Sequence, residues 1–154
     1  MSDWQATHRV SAQVTFAHGS VLEGELHLQS STALHQSAET TLEMLNRPDQ
    51  FFAMTLPAGE IALVAKAQVA VVTCQASEPF IVDPERASVA TELTLEVHVV
   101  GGRRFRGATR SELPPLHTRA MDFLNDLTGF FDVSDGKTVQ YINRASVLYV
   151  HPLD

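Results

Sequence analysis

The stretch Val14-Thr-Phe-Ala-His-Gly-Ser-Val-Leu-Glu-Gly24 is matched 83 residues later by Val97-His-Val-Val-Gly-Gly-Arg-Arg-Phe-Arg-Gly107. Each copy begins with alternating apolar residues and then places two glycines five residues apart. Apolar residues at every second position are typical of a half-buried β-strand, and a glycine turn between two such segments predicts a hairpin. A glycine inside the returning strand indicates a bulge or a sharp bend. The sequence therefore predicts two equivalent hairpins, the first sign of a repeated architecture.

Two more blocks repeat in the same order. Residues 42–52 match residues 121–131 at a spacing of 79, and both contain Leu-Asn, four further residues and Phe-Phe. Residues 64–72 match residues 142–150 at a spacing of 78. The drift from 83 to 78 is a loss of five residues, which loops tolerate. We therefore predict an internal duplication.

The duplication divides the chain into three segments. The first repeat is assigned to residues 8–75 and the second to residues 91–152. Residues 76–90, which contain Pro79 and Pro84, form the predicted linker. Each repeat is expected to hold five strands and one short helix ahead of its third strand. The predicted fold class is therefore mainly β with short helices (α+β).

Polar residues ahead of each predicted helix are candidates for its N-cap. Ser37 or Thr40 is expected to cap the first helix, and Thr118 the second. In the second helix, Met121 and Leu124 are expected to lie on the buried side.

The repeated Asn and Phe-Phe residues each allow two interpretations. Asn46 and Asn125 are either helix caps or polar groups that face a ligand cleft, and we favour the cap. In Phe51-Phe52 and Phe130-Phe131, the two rings of each pair lie on opposite sides of a strand. One ring fills the interior, so the other must be covered by the helix, by the other repeat or by a partner.

The features that recur are Gly19, Gly24, Lys66 and Val69 in the first repeat and Gly102, Gly107, Arg144 and Val147 in the second. Their order resembles the Sm-like fold, a small SH3-like barrel. The resemblance implies two tandem five-stranded Sm-like/SH3-like barrels. The second repeat is also similar to uncharacterised bacterial proteins that share Arg119, Asp-Phe-Leu-Asn at 122–125, Phe-Phe at 130–131 and Ile-Asn-Arg at 142–144.

The same resemblance bears on RNA binding and on assembly. Sm proteins that bind RNA resemble one another in an Asp and an Asn between the second and third strands and in an Arg-Gly near the end. The implied counterparts are Asp122, Asn125 and Arg144, although Ala145 stands where the glycine is expected and a helix replaces the loop. Sm proteins usually form rings, so a covalent tandem is expected to close on itself as a pseudo-dimer or to build a ring from fewer chains.

Charge separates the two repeats. The chain of 154 residues has a formal net charge of −7, which excludes a globally basic nucleic-acid binder. Residues 1–83 carry a net charge of −6 and residues 84–154 a net charge of −1. An anionic partner is therefore expected to prefer the second repeat.

The basic hairpin of the second repeat has a functional and a structural interpretation. Arg103, Arg104 and Arg106 supply forked donors for phosphate or carboxylate, and Phe105 between them is able to stack on a base. Strand alternation instead places Phe105 in the core and leaves the arginines as a solvated rim. We favour this second interpretation.

Catalytic and metal-binding motifs are lacking. Cys74 is the only cysteine, which is typical of a reducing compartment and permits no internal disulfide. The seven histidines have no recognised metal spacing, and the strand neighbours Glu96 with His98 and Glu25 with His27 are interpreted as exposed polar faces. Neither a nucleophile motif nor a phosphate-binding glycine loop occurs. We therefore expect no catalysis, no cofactor and no metal.

Three functions remain. The preferred one is a non-enzymatic interaction or scaffold module whose partner is a protein, through self-association or as an adaptor. The alternative is RNA or nucleotide binding through Arg103, Arg104, Arg106, Arg144 and Asn125. The third, a metal-dependent enzyme, requires the scattered histidines to converge. The start of the chain shows no secretory leader and no segment approaches the ~20 apolar residues of a membrane span, so a cytoplasmic location without a membrane partner is expected.

Overall fold

A computed structural model describes residues 7–29, 39–76, 91–111 and 120–153. Within these residues the chain is mainly β, as predicted, and two short helices precede the third and eighth strands. The strands are β1 Thr7–Phe16, β2 Val21–Gln29, β3 Phe51–Thr55, β4 Ile61–Ala65, β5 Val69–Gln75, β6 Thr91–Val99, β7 Arg103–Ser111, β8 Phe130–Ser134, β9 Thr138–Asn143 and β10 Val147–Pro152. The helices are α1 Thr41–Leu45 and α2 Ala120–Asp126. None of the helices in these ranges is long and apolar enough to cross a membrane.

All ten strands join in one antiparallel sheet in the order β10-β6-β7-β8-β9-β5-β1-β2-β3-β4. The strand order within the two halves is the same, namely β5-β1-β2-β3-β4 in the first and β10-β6-β7-β8-β9 in the second. The halves are joined where β5 pairs with β9, a pairing that we call the seam. Among the described residues, the outermost strands β4 and β10 each pair on one side only, and we call them the free edges of the sheet. The two predicted barrels are not seen as separate closed sheets, because β5 takes its second neighbour from the other half.

The strand registers of the first half recur in the second. Val14 pairs with Leu22 in β1–β2, and 83 residues further on Val97 pairs with Phe105 in β6–β7. The β1–β5, β2–β3 and β3–β4 pairings reappear as β6–β10, β7–β8 and β8–β9 after the shifts of 83, 79 and 78 residues found in the sequence. The sequence repeats thus correspond to repeated hydrogen-bond patterns, and each residue of the matched segments in one half has a structural counterpart in the other.

Gly24 of β2 and Gly107 of β7 lie against a carbonyl group of the following strand. A Cβ atom at Gly24 would meet the Thr55 carbonyl oxygen at 2.5 Å, and one at Gly107 would come still closer to the Ser134 carbonyl oxygen. The β1–β2 and β6–β7 registers run through both glycines without a shift, so neither marks the expected bulge. Glycine is required here because the next strand approaches too closely for a side chain.

Buried side chains form two clusters that share the seam. The first core contains Ala12, Val14, Leu26, Leu28, Met44, Leu45, Phe52, Met54, Val64, Val69, Val72 and Cys74 from the first half. The second core contains Leu93, Leu95, Val97, Val99, Phe123, Phe131, Val133 and Ile142 from the second half. Four residues cross over: Phe130 and Tyr141 join the first core, and Ala70 and Val71 join the second. The seam is therefore a shared interior.

The helix predictions are confirmed for α1 and corrected for α2. Thr40 is the N-cap of α1, where its Oγ1 accepts from the Glu43 N–H and the Glu43 carboxylate accepts from the Thr40 N–H. In α2, Met121 is exposed although it was expected inside, because the helix presents Phe123 to the second core. Leu124 is half-buried against that core.

Some predictions fall outside the described residues. These are the caps at Ser37 and Thr118, the motif residue Arg119, and the linker from residue 77 onward.

Gly24→Ala and Gly107→Ala are each expected to destabilise the protein by about 1–3 kcal/mol, because the added methyl group forces two paired strands apart. Urea denaturation followed by circular dichroism measures the loss. Glu23→Ala, on the exposed neighbour of Gly24 in β2, is the control and should change stability by less than about 0.5 kcal/mol. Equal stability of the glycine variants and this control would contradict the close approach.

Candidate interaction surface

Asn46 links the two halves through both ends of its carboxamide. Its Nδ2 donates to the Phe130 carbonyl oxygen at 3.0 Å, and its Oδ1 accepts from the Phe130 N–H at 2.7 Å. Gly129 gives the amide room, since a Cβ there would meet Oδ1 at 2.5 Å. Asn46 does end α1, as the cap interpretation predicts, but its side chain serves the contact between the halves.

Side chains also fix the seam itself. Asn143 of β9 donates from Nδ2 to the Val69 carbonyl oxygen at 2.9 Å and to the Lys66 carbonyl oxygen at 3.3 Å. The Thr73 hydroxyl donates to Gln140 Oε1 at 2.5 Å. Backbone pairing and side-chain bonds thus hold β5 and β9 in one register.

The two Phe-Phe pairs differ in how their rings are covered. Phe52 and Phe131 fill the cores of their own halves. Phe130 is only 5% exposed because the first core covers it, whereas its counterpart Phe51 is 57% exposed. The first repeat therefore covers the Phe130 ring. Within the described residues, no comparable group covers the Phe51 ring.

Every side chain that crosses between the cores has a counterpart that is exposed near a free edge. The pairs, with the exposure of the counterpart, are Phe130 with Phe51 (57%), Tyr141 with Leu63 (69%), Ala70 with Leu148 (59%) and Val71 with Tyr149 (52%). Ile61 on β4 and Leu153 beyond β10 are exposed as well. Apolar side chains that line an unpaired strand edge are candidates for an interaction surface. We call Phe51, Ile61 and Leu63 the β4 surface, and Leu148, Tyr149 and Leu153 the β10 surface.

Asn125 lies exposed in α2, one residue before the helix ends at Asp126. It is the counterpart of Asn46, but it lies within the helix rather than after its last residue, so the cap prediction is wrong for Asn125. The repetition is incomplete here, because Gln50 carries a Cβ where its counterpart Gly129 has none.

The arginines of the basic hairpin lie on both faces of β7. Phe105 packs against the second core, and Arg104 and Arg106 are exposed on the opposite face, as alternation predicts. Arg103 donates from Nη2 to the Gly19 carbonyl oxygen at 3.3 Å. The hairpin therefore contacts the glycine turn of the first half, and two of its three arginines face solvent.

Arg144 lies near this hairpin without sharing the environment of its counterpart Lys66. It is exposed and begins a 3-10 turn, Arg144–Ser146, whose Ser146 carbonyl accepts from the Val100 N–H at 3.0 Å. Lys66 is buried and donates to the Met44 and Arg47 carbonyl oxygens at 3.1 and 3.0 Å. Burial, helped by the Arg47 charge, lowers the pKa of Lys66.

A shallow groove of about 660 Å³ crosses the first half. Its lining includes Glu23 and Glu25 together with uncharged groups, and no basic side chain is found among the described residues that line it. The groove is therefore unsuited to phosphate or another anion.

Histidines converge at one place, contrary to the expectation from their spacing. Glu96, His98 and His151 offer ligand atoms that all lie within 4.8 Å of one another. Glu96 Oε1 and His98 Nε2 are 2.7 Å apart, and this hydrogen bond lowers the pKa of Glu96. The cluster depends on the register of β10 on β6, which sets His151 opposite Glu96 and has no local signal in the sequence.

Two further groups are buried. Cys74 is buried, and this burial raises the pKa of its thiol to about 11. His27 is also buried, although an exposed face was expected, because β3 covers it and brings its Nε2 within 2.6 Å of the Thr55 hydroxyl oxygen. Burial lowers the pKa of His27.

Comparison with family models, curated proteins and solved structures found no match to this chain.

Asn46→Ala is expected to cost about 1–3 kcal/mol of unfolding free energy, because it leaves the Phe130 N–H and carbonyl without their partner. Asn125→Ala removes the same side chain from the counterpart position, where it is exposed, and should change the stability of the single chain by less than about 0.5 kcal/mol. Urea denaturation of both variants at low protein concentration makes the comparison. Equal losses would show that Asn46 does not fix the contact between the halves.

Proposed function

We propose that the chain is a non-enzymatic protein-interaction or scaffold module that self-associates head to tail. The β4 edge of one copy pairs with the β10 edge of the next. The observation that carries this proposal is the match between the four residues that cross between the cores, three of them buried and Tyr141 partly buried, and their four exposed counterparts. A contact that is made once inside the chain and left open at both ends is completed by a second copy.

The seam supplies the register of the proposed joint. Val72 pairs with Tyr141 at the seam, so Val150 of one copy is expected to pair with Leu63 of the next. The β4 segment Ile61-Ala-Leu-Val-Ala65 carries no charge and no proline, the usual devices that protect an edge strand. Pro152 lacks an N–H, so the pairing is expected to end at His151.

This joint uses two different surfaces, so repeated addition either closes a ring or extends a filament. The likeness of each half to the Sm-like fold, whose members usually form rings, favours a closed assembly. The same proposal treats each half as an Sm-like or SH3-like barrel derived by duplication. The shared strand order and the repeated registers support that view. The buried Cys74 thiol suits a reducing compartment such as the cytoplasm.

RNA or nucleotide binding remains the second candidate, favoured by the exposed Arg104, Arg106 and Arg144 near one end of the second half. The net charge of −7 opposes it. The observations on the free edges outweigh the arginines, because arginines on a solvated strand face need no partner.

The assembly is tested by the mass of the untagged chain in solution over a concentration series. Wild-type protein is expected as an oligomer, whereas Leu63→Lys and Leu148→Lys should each give the single-chain mass of 16.9 kDa, since each buries a charge in the joint. Val21→Lys alters an exposed apolar residue away from both free edges and should assemble like wild type. A wild-type chain that stays monomeric at high concentration would refute the proposal.

Mixing the two monomeric variants tests the head-to-tail geometry. Leu63→Lys retains a sound β10 surface and Leu148→Lys a sound β4 surface, so the mixture should form a dimer of twice the single-chain mass. An isologous interface would instead leave the mixture monomeric.

RNA binding is tested by fluorescence anisotropy of labelled random single-stranded RNA at two salt concentrations. We expect no binding at low salt. Tight binding that weakens steeply with salt and disappears in Arg104→Ala/Arg106→Ala would favour the second candidate instead.

A further inference from the structure

We propose that Glu96, His98 and His151 form a binding site for one zinc ion at the β10 edge of the second half. Two imidazoles and a carboxylate are a donor set that Zn²⁺ accepts readily, in contrast to the all-oxygen sets preferred by Mg²⁺ and Ca²⁺. Their ligand atoms already lie within 4.8 Å of one another. The inference stands on this geometry and does not depend on self-association.

Strand pairing places the three side chains on one face. His151 of β10 pairs with Glu96 of β6, and Tyr149 pairs with His98. Residues two apart on a strand share a face, so all four project to the same side of the sheet. The donors are thus brought together by two neighbouring strands of a regular ladder, which is a firmer support than a loop.

Tyr149 is a positioning residue in this cluster. Its ring stacks on the His98 imidazole with centroids 4.2 Å apart, and it meets the His151 ring edge-on at 5.4 Å. The two imidazoles themselves are nearly perpendicular, with centroids 5.3 Å apart. Contacts of this kind restrict the ring orientations before a metal arrives.

The cluster needs only small movements to hold an ion. Zinc bonds of about 2.0–2.1 Å in a tetrahedral arrangement place two ligand atoms about 3.4 Å apart. Glu96 Oε1 and His98 Nε2, now 2.7 Å apart, separate slightly, and the proton between them leaves to solvent. Three protein ligands leave the fourth position to water, so the site is an exchangeable one rather than a closed structural one.

The first half lacks these donors at the corresponding places. The counterparts of Glu96, His98 and His151 are Gln13, Thr15 and Thr73, and the Thr73 hydroxyl bonds to Gln140 at the seam. Among the residues that the structure describes, this donor set therefore occurs at the β10 edge and not at the corresponding place in the first half. Arg104, which pairs with His98 from β7, adds a positive charge beside the cluster and opposes a cation.

The test uses untagged full-length protein that has been treated with a chelator and exchanged into metal-free buffer. Zinc is titrated in competition with a chromophoric chelator, and bound zinc is counted by elemental analysis. We expect one zinc per chain, and His151→Ala should weaken zinc binding by at least about tenfold. His18→Ala, which removes an exposed histidine from the β1–β2 turn, should bind zinc like wild type. Co²⁺ provides a spectroscopic check, since the visible band of His-ligated cobalt should be lost in His151→Ala and retained in His18→Ala.

Substoichiometric zinc in the wild-type chain, or equal affinities of His151→Ala and His18→Ala, would overturn the proposal. The Leu63→Lys variant tests whether zinc binding depends on self-association. All three ligands belong to one chain, so this variant should still bind one zinc, and loss of zinc binding in it would refute a site within a single chain.

Discussion

The pairing of β5 with β9 is the interaction on which the rest of the structure depends. A β-strand that ends a sheet leaves a row of N–H and C=O groups without partners, and β5 avoids this by accepting a strand from the other half. Val69 and Val72 face the first core, while Ala70 and Val71 face the second. Separating the halves would open both interiors at once, so the seam makes one molecule of two repeats.

A repeat joined in this manner has an unavoidable geometric consequence. The seam uses the fourth strand of one half and the fifth strand of the other, so one strand of each kind is left over. The leftovers are β4 and β10, and their exposed Leu63 and Leu148 have the apolar character of residues that are buried at the seam. The connectivity therefore leaves one strand of each kind without a second neighbour, and both of these strands carry exposed apolar side chains.

Local sequence patterns are sufficient to predict the hairpins but not the pairing of β5 with β9 at the seam. Period-two alternation and the spaced glycines predict β1–β2 and β6–β7 because both signals arise between adjacent residues. The pairing of β5 with β9 joins segments nearly 70 residues apart, as Thr73 with Gln140, and such contacts leave no local period. A hint exists in the unbroken apolar run at 69–72, which is typical of a strand covered on both faces. The cluster of Glu96, His98 and His151 is not predicted from the sequence for the same reason, because it depends on the register of β10 on β6.

The two joints are expected to differ in strength because the polar contacts of the seam are not repeated at the free edges. Asn143 and Gln140 bond across the seam, but their counterparts on β4 are Ala65 and Ala62, which have no polar side-chain atoms. The proposed joint between chains would therefore rely on backbone pairing and apolar contact. It also pays the entropy of bringing separate chains together, which the covalent link removes at the seam. The proposed joint between copies is therefore expected to be weaker than the seam and to depend on protein concentration.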